Sequence, residues 1–213
     1  QKLSMKDGNL ERNNPSASRD LATFLCLQPC LTDLMLIWHD EYLHDDFYQE
    51  LACLASSSKV QKLSIGSCNL ERNDPTALRD LAMFLCLQPS ITDLTIQDYL
   101  GMTYVHDDFY QELARHVSSS KVQKFTISGC NLERNTLSAS LDLAKFLCLL
   151  PCLTDLTLKN SCYRFRSRYL HDDFYHELAR LASSSKIGKL CIEECNLKKN
   201  DPSASRAFAK FLC

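Results

Sequence analysis

Apolar side chains recur at fixed offsets along the chain, and residues 60–70 show the pattern in full. The first, fourth, sixth, ninth and eleventh positions of this stretch are Val60, Leu63, Ile65, Cys68 and Leu70. The alternation around Leu63 and Ile65 predicts a short β-strand with one buried face. The cysteine that follows is typical of a turn whose side chain points into the core. The stretch is therefore a candidate repeat unit.

Variants of this unit fill the chain and fall into two alternating types, named here by the residue at their third position. Lysine units have the inward cysteine in three of four copies, whereas aspartate units keep the strand but lose this cysteine and the last leucine. Units start near residues 1, 31, 60, 91, 122, 153 and 187, and the last six starts are 29, 31, 31, 31 and 34 residues apart. The pattern predicts seven units, the first of them truncated.

The segment after each strand of a lysine unit predicts a helix. A capping residue followed by proline stands before three of these segments, at Asn14–Pro15, Asp74–Pro75 and Asp201–Pro202. Leu21, Phe24 and Leu25 then lie at helical offsets that face a core. Three prolines are placed to end the helices just before the next strand: Pro29, Pro89 and Pro151.

In the aspartate units the helix opens with a His-Asp-Asp-Phe-Tyr sequence, which starts at His44, His106 and His171. A cluster of this kind is one way to bind a metal or to carry out acid–base chemistry. The alternative is structural, with the first aspartate of each copy (Asp45, Asp107, Asp172) as the helix N-cap and the second at the positive end of the helix dipole. The apolar residues that follow at helical offsets favour the structural interpretation.

The strand–loop–helix units resemble the ribonuclease-inhibitor type of leucine-rich repeat over essentially all 213 residues. This resemblance implies an α/β solenoid, a single domain spanning residues 1–213. Strands lie about 4.8 Å apart and packed helices about 8–10 Å apart, so the stack must bend. We expect a horseshoe arc with parallel strands on the concave side and helices on the convex side.

Two phrases, residues 60–70 and 153–158, are similar to the C-terminal sensor region of NOD-like receptors. The resemblance implies a protein-interaction and ligand-sensing or autoinhibitory domain of an intracellular innate immune receptor. A protein or peptide ligand is expected, either microbial or from the receptor's own domains. The alternatives are a free-standing cytosolic inhibitor or scaffold and a regulator of the GTPase-activating kind.

Composition narrows the functional classes. A formal charge of −2 argues against a nucleic-acid partner, which needs a strongly basic surface. Neither a signal peptide nor a run of transmembrane length is visible, so no membrane partner is expected. No nucleophile, base and orienting group recur together, so we expect neither enzymatic activity nor a cofactor. Because the chain starts inside a repeat and ends inside a helical segment, we expect it to be part of a larger protein.

The twelve cysteines predict buried free thiols rather than a disulfide framework. Cys68, Cys130 and Cys195 occupy the inward repeat position, and three others recur in the helical phrase Phe-Leu-Cys-Leu: Cys26, Cys86 and Cys148. The absence of glycosylation sequons agrees with a cytoplasmic location. The four-residue Cys26/Cys30 spacing could indicate a metal, but the middle copy has Ser90 at the second position, so no metal site is expected.

Strand alternation assigns the concave face to the third, fifth and seventh positions of each unit. The third positions form what we call the charged row: Lys2, Asp33, Lys62, Asp93, Lys124, Asp155 and Lys189. With strands in register these charges alternate in sign from strand to strand. The row is interpreted as a self-paired ladder that fixes register, with a ligand-binding stripe as the alternative.

Two segments stand out as candidate partner-binding residues. Met35 and Ile37 are predicted on the concave face, and Trp38 follows at the strand exit, which together resemble an interface hot spot. The alternative is that this patch covers the N-terminal end of the stack. The loop 159–170 interleaves arginine with aromatic residues, types enriched at interfaces, although a plain solvated loop is also compatible. Its candidate residues are Tyr163, Arg164, Phe165, Arg166, Arg168 and Tyr169.

Overall fold

A computed structural model describes residues 1–6, 15–37, 43–66, 70, 73–97, 105–129, 136–159, 170–193 and 200–212. Within these residues, seven five-residue strands form one parallel sheet in chain order. The strands are β1 (Lys2–Lys6), β2 (Asp33–Ile37), β3 (Lys62–Gly66), β4 (Asp93–Gln97), β5 (Lys124–Ser128), β6 (Asp155–Lys159) and β7 (Lys189–Glu193). Each starts at the third position of a predicted unit, so the predicted unit phase is confirmed.

One helix follows each strand, and consecutive helices pack side by side as the strands do. The helices are α1 (Pro15–Leu27), α2 (Asp45–Cys53), α3 (Pro75–Leu87), α4 (Asp107–His116), α5 (Leu137–Leu149), α6 (Asp172–Leu181) and α7 (Pro202–Leu212). Single 3-10 turns extend α4 and α6. Since strands are spaced more closely than helices, the sheet lines the inner side of the arc. The predicted leucine-rich-repeat solenoid is confirmed.

The core lies between the sheet and the helix layer. Residues at the fourth and sixth positions of the inner strands are buried, as Leu94 at 0% and Ile96 at 4% exposure illustrate, whereas Asp93 and Thr95 beside them are half-exposed. The equivalent side chains of β1 and β7 are only partly buried because each of these strands has one neighbour. The predicted period of two is confirmed.

The helix boundaries of the lysine units follow the predicted signals. Asp74 caps α3 by accepting a hydrogen bond from the Thr76 amide at 2.7 Å, and Asp201 accepts one from the Ser203 amide at 2.6 Å. Asn14 lies outside the described residues. Helices α1, α3 and α5 end two residues before a proline, as predicted: Pro29, Pro89 and Pro151.

In the aspartate units the predicted cap is wrong by one residue. The N-cap of α2 is His44, whose Nδ1 accepts the Asp46 amide at 3.3 Å, and His106 caps α4 with the same geometry. His171 occupies the cap position of α6. Accordingly Asp45, Asp107 and Asp172 are the first helical residues. The cap prediction failed because adjacent residues at a helix start both carry acceptors, and backbone geometry decides which side chain turns back.

The first aspartate instead connects one unit to the next. Oδ1 of Asp45 accepts hydrogen bonds from Nδ2 of Asn73 at 2.8 Å and from the Asp74 amide at 3.3 Å. Asn73 also donates to the Leu43 carbonyl at 2.7 Å. Asn200 makes the same two contacts with Asp172 and Leu170. The asparagine recurs three residues after the leucine of the Cys-Asn-Leu phrase, and this repetition was the sequence signal for its role.

The cysteines of the α1, α3 and α5 helices are buried free thiols, as predicted. Burial, with a smaller contribution from a nearby glutamate, raises the pKa of Cys86 and of Cys148 to about 12 and that of Cys26 to about 11. Such thiols are poor nucleophiles because the thiolate is the reactive form. The other three predicted thiols lie outside the described residues: Cys68, Cys130 and Cys195.

Candidate protein-interaction surface

The charged row stands on the inner face in the predicted register. Lys2 lies opposite Asp33, Asp33 opposite Lys62, and the alternation continues to Lys189. However, among the described residues no direct ion pair joins a lysine of the row to a neighbouring aspartate. Asp33 and Asp155 instead accept hydrogen bonds from the hydroxyl groups of the preceding threonines, at 2.7 Å and 2.8 Å. The charged row is therefore in register, but its neighbouring lysines and aspartates form no direct ion pairs among the described residues. This finding corrects the prediction of a self-paired ladder.

Threonine hydroxyl groups just before the aspartate strands also form hydrogen bonds to the preceding unit. The side chains of Thr32, Thr92 and Thr154 donate to the carbonyl of the glutamine in the preceding unit, at 3.2–3.4 Å. In Thr32 and Thr154 the single hydroxyl hydrogen is shared between this carbonyl and the carboxylate of the following aspartate, which is the nearer acceptor. These contacts restrain the aspartate side chains at the start of the strand and leave the lysine ammonium groups exposed to solvent.

Met35 is the one large apolar residue at the fifth position of the described strands. It is half-buried, and its register partners are Ser4 and Ser64. Because these neighbours are small, the methionine side chain borders a shallow depression of about 250 Å³, called here the Met35 depression. Its lining residues are Lys2, Asp33, Leu34, Met35, Lys62, Ser64, Asp93 and Thr95.

Ile37 does not have the predicted exposure. Its exposed fraction is 3%, although it lies at a seventh position, which alternation assigns to the solvent side. Its register partner in β3 is Gly66, which has no side chain, so the side chain of Ile37 can lie over the glycine backbone. A Cβ atom added to Gly66 would lie 3.2 Å from Cγ1 of Ile37 and 3.2 Å from Cγ of Gln97. The two side chains close over the glycine, so Ile37 supports the surface and offers a partner little area.

The remaining candidate residues lie outside the described part of the chain. These are Trp38, Tyr163, Arg164, Phe165, Arg166, Arg168 and Tyr169. Lys159 and Leu170 are the described residues on either side of the arginine-containing segment, and both contact the rest of the fold. Lys159 forms an ion pair with Glu193 at 2.9 Å, and Leu170 is buried at 3% exposure.

The helix layer differs from the charged row because several of its charges form ion pairs with one another. Glu177 receives two hydrogen bonds from Arg180, both at 2.6 Å, and this bidentate contact holds the pKa of its carboxyl below the usual range. Arg79 and Asp108 link α3 to α4 at 3.2 Å. Charges that are already paired offer a partner less than the charges of the row, which form no direct ion pair with one another among the described residues.

The described ranges lack both a cluster of metal-ligating side chains and a membrane-spanning helix. They contain no group of three or more side chains placed to hold a metal ion. None of the described helices has the length and apolar character needed to cross a bilayer. On the inner face, the charged row and the Met35 depression place charged groups beside apolar area.

Comparisons with protein-family models and with curated proteins give no match. Among solved structures, one similar chain is the leucine-rich repeat-containing protein LegL7 from Legionella pneumophila. The two sequences are 16% identical, and the alignment has a TM-score of 0.49 and covers 98% of this chain and 72% of that chain.

Proposed function

We propose that the chain is the protein-interaction domain of an intracellular innate immune receptor of the NOD-like type, where it senses a ligand and restrains the receptor. The observation that carries this proposal is the inner face, where charges of alternating sign line one side of the Met35 depression. An interface needs apolar anchor area inside a polar rim, and this surface has both.

The partner-binding residues proposed are Met35 together with Trp38 and the loop residues Tyr163, Arg164, Phe165, Arg166, Arg168 and Tyr169. An open arc offers little enclosure for a small molecule, which favours a protein or peptide ligand. Arginines between aromatic residues suit an acidic segment of such a ligand through bidentate contacts. A cytoplasmic location is supported by the buried free thiols, because thiols persist in reducing compartments.

The second candidate is a free-standing cytosolic leucine-rich-repeat inhibitor or scaffold. It is favoured by the extent of the charged row, which runs across all seven described strands and supplies a binding surface without any other domain. The coding sequence upstream separates the two candidates. A phosphate-binding G-x-x-x-x-G-K-[ST] motif followed by a helix supports the receptor, and its absence from the complete gene supports the inhibitor or scaffold.

Site-specific photo-crosslinking tests protein binding by the inner face. We would place a benzophenone amino acid at Ser4, which is exposed beside Met35, and in a matched variant at Leu87, which is 40% exposed on the helix layer. The expected result is a discrete protein adduct from Ser4 in cells, weakened by Met35→Ala, and none from Leu87. Equal labelling from both sites, or adducts unaffected by Met35→Ala, would refute binding at this surface.

A further inference from the structure

The charged row presents alternating signs at a nearly constant step along the arc. Its members Lys2, Asp33, Lys62 and Asp93 line the Met35 depression, and each lies directly opposite the next. Neighbouring strands of a sheet are about 4.8 Å apart. The four charges therefore fall at about 0, 5, 10 and 14 Å along the direction that crosses the strands.

An α-helix laid along this direction matches the step. A helix rises about 1.5 Å per residue, so residues i, i+3, i+7 and i+10 lie at about 0, 4.5, 10.5 and 15 Å on one face. Same-face residues of an extended strand are about 6.8 Å apart, so the second of them falls about midway between two charges of the row. Of these two conformations, the helix stays in phase with all four charges.

The Met35 depression favours an apolar side chain of the partner at a position next to the charged residues. It extends from the charged row toward Met35, Ser64 and Thr95, which occupy the fifth positions of three adjacent strands. Residue i+4 of a helix lies about 6 Å along the axis, between the second and third charges, and on the opposite side of residue i from i+3. An aliphatic side chain at i+4 is therefore placed over the depression.

We infer that the partner of this surface presents an α-helix that crosses β1 to β4. The helix has acidic side chains at i and i+7, facing Lys2 and Lys62, and basic side chains at i+3 and i+10, facing Asp33 and Asp93. An aliphatic side chain at i+4 contacts Met35. The inference rests on the proposed function, because it names the kind of protein segment that the inner face binds.

Two synthetic peptides test the inference with the 213-residue chain. The phased peptide is a helix of about five turns, stapled on its outer face, with Glu, Lys, Leu, Glu and Lys at i, i+3, i+4, i+7 and i+10 and alanine and glutamine elsewhere. The shuffled peptide has the same composition in the order Glu, Glu, Leu, Lys and Lys. Fluorescence anisotropy should give an affinity at least about tenfold higher for the phased peptide, with a difference that shrinks as salt rises.

A charge exchange on the protein makes the test independent of small changes in stability. Lys62→Asp combined with Asp93→Lys should weaken binding of the phased peptide. A peptide with the matching exchange at i+7 and i+10 should bind this variant with restored affinity. The matched control exchanges Asp155 and Lys189, which belong to the same row but lie outside the depression, and should leave the affinity unchanged. Circular dichroism checks that each variant is folded.

Equal affinities of the phased and shuffled peptides, no binding of either, or no recovery with the exchanged peptide overturns the inference. If crosslinking from Ser4 still captures a protein in that case, the proposed function stands and its partner is not a helix of this phase. If neither experiment shows binding, both the proposed function and the inference fail.

Discussion

Gln88 connects two neighbouring units through its side chain, and its replacement is the sharpest test of how the stack is held together. Its exposed fraction is 0%. Nε2 donates to the carbonyls of Ser58 and Val60 at 3.0 Å and 3.1 Å. Oε1 accepts the amides of Ser90 and Ile91 at 2.8 Å and 2.6 Å. One side chain thus satisfies two carbonyls of the preceding turn and two amides of the following one.

Gln88→Ala removes all four hydrogen bonds and leaves a buried void. A net contribution of about 0.5–1.5 kcal/mol per hydrogen bond gives about 2–6 kcal/mol, and we expect a loss of about 4 kcal/mol in the free energy of unfolding. Gln88→Leu should lose less, because it fills the void and because Leu150 occupies the equivalent buried position two units later. The measurement is urea unfolding followed by circular dichroism.

Gln28 provides a matched control, since it occupies the same position in the first lysine unit. It is half-buried, and among the described residues its side chain has no hydrogen-bond partner. Gln28→Ala should therefore change the free energy of unfolding by less than about 0.5 kcal/mol. Similar losses for Gln28→Ala and Gln88→Ala would refute the assignment of stability to the four buried hydrogen bonds.

Three further predictions follow from burial, packing and charge. Leu94→Asp should cost several kcal/mol, because it buries an unpaired charge, and Asp93→Ala less than about 1 kcal/mol; similar melting temperatures would contradict the strand phase. Gly66→Ala should destabilise by about 1 kcal/mol through contacts at 3.2 Å, whereas Gly188→Ala, with its nearest contact at 3.8 Å, should be neutral or slightly stabilising in the same unfolding assay. The lowered pKa of Glu177 means that its stabilisation is present above the ordinary glutamate pKa and is lost as pH falls through the lowered value. Glu177→Gln should therefore reduce the difference between urea midpoints at neutral and acidic pH, and an unchanged difference would argue against this contribution.

The sequence alone determined the features that depend on local spacing. Apolar residues with a period of two specified the strands and their buried faces, as Leu94 and Ile96 show. Capping aspartates specified the starts of α3 and α7, and prolines specified the ends of α1, α3 and α5, because these signals act within a few residues. Even the register of the charged row followed from the repeat, since equal units place equal positions side by side.

Tertiary structure decided the features that depend on residues about thirty positions away. Ile37 is buried because its neighbour in β3 is a glycine, and alternation within β2 carries no information about that neighbour. Gln88 resembles a solvent-exposed residue near a helix end, yet it is fully buried and donates to the carbonyls of Ser58 and Val60, about thirty positions earlier.

Competition between nearby partners was likewise settled only by the folded geometry. The lysines and aspartates of the charged row lie in register, but Asp33 hydrogen-bonds to the adjacent Thr32 hydroxyl instead of contacting a lysine. His44, rather than Asp45, caps α2, which frees the aspartate to bind Asn73 of the next unit. In each case the sequence supplies several acceptors and donors within reach, and backbone direction and side-chain length select the pair that forms.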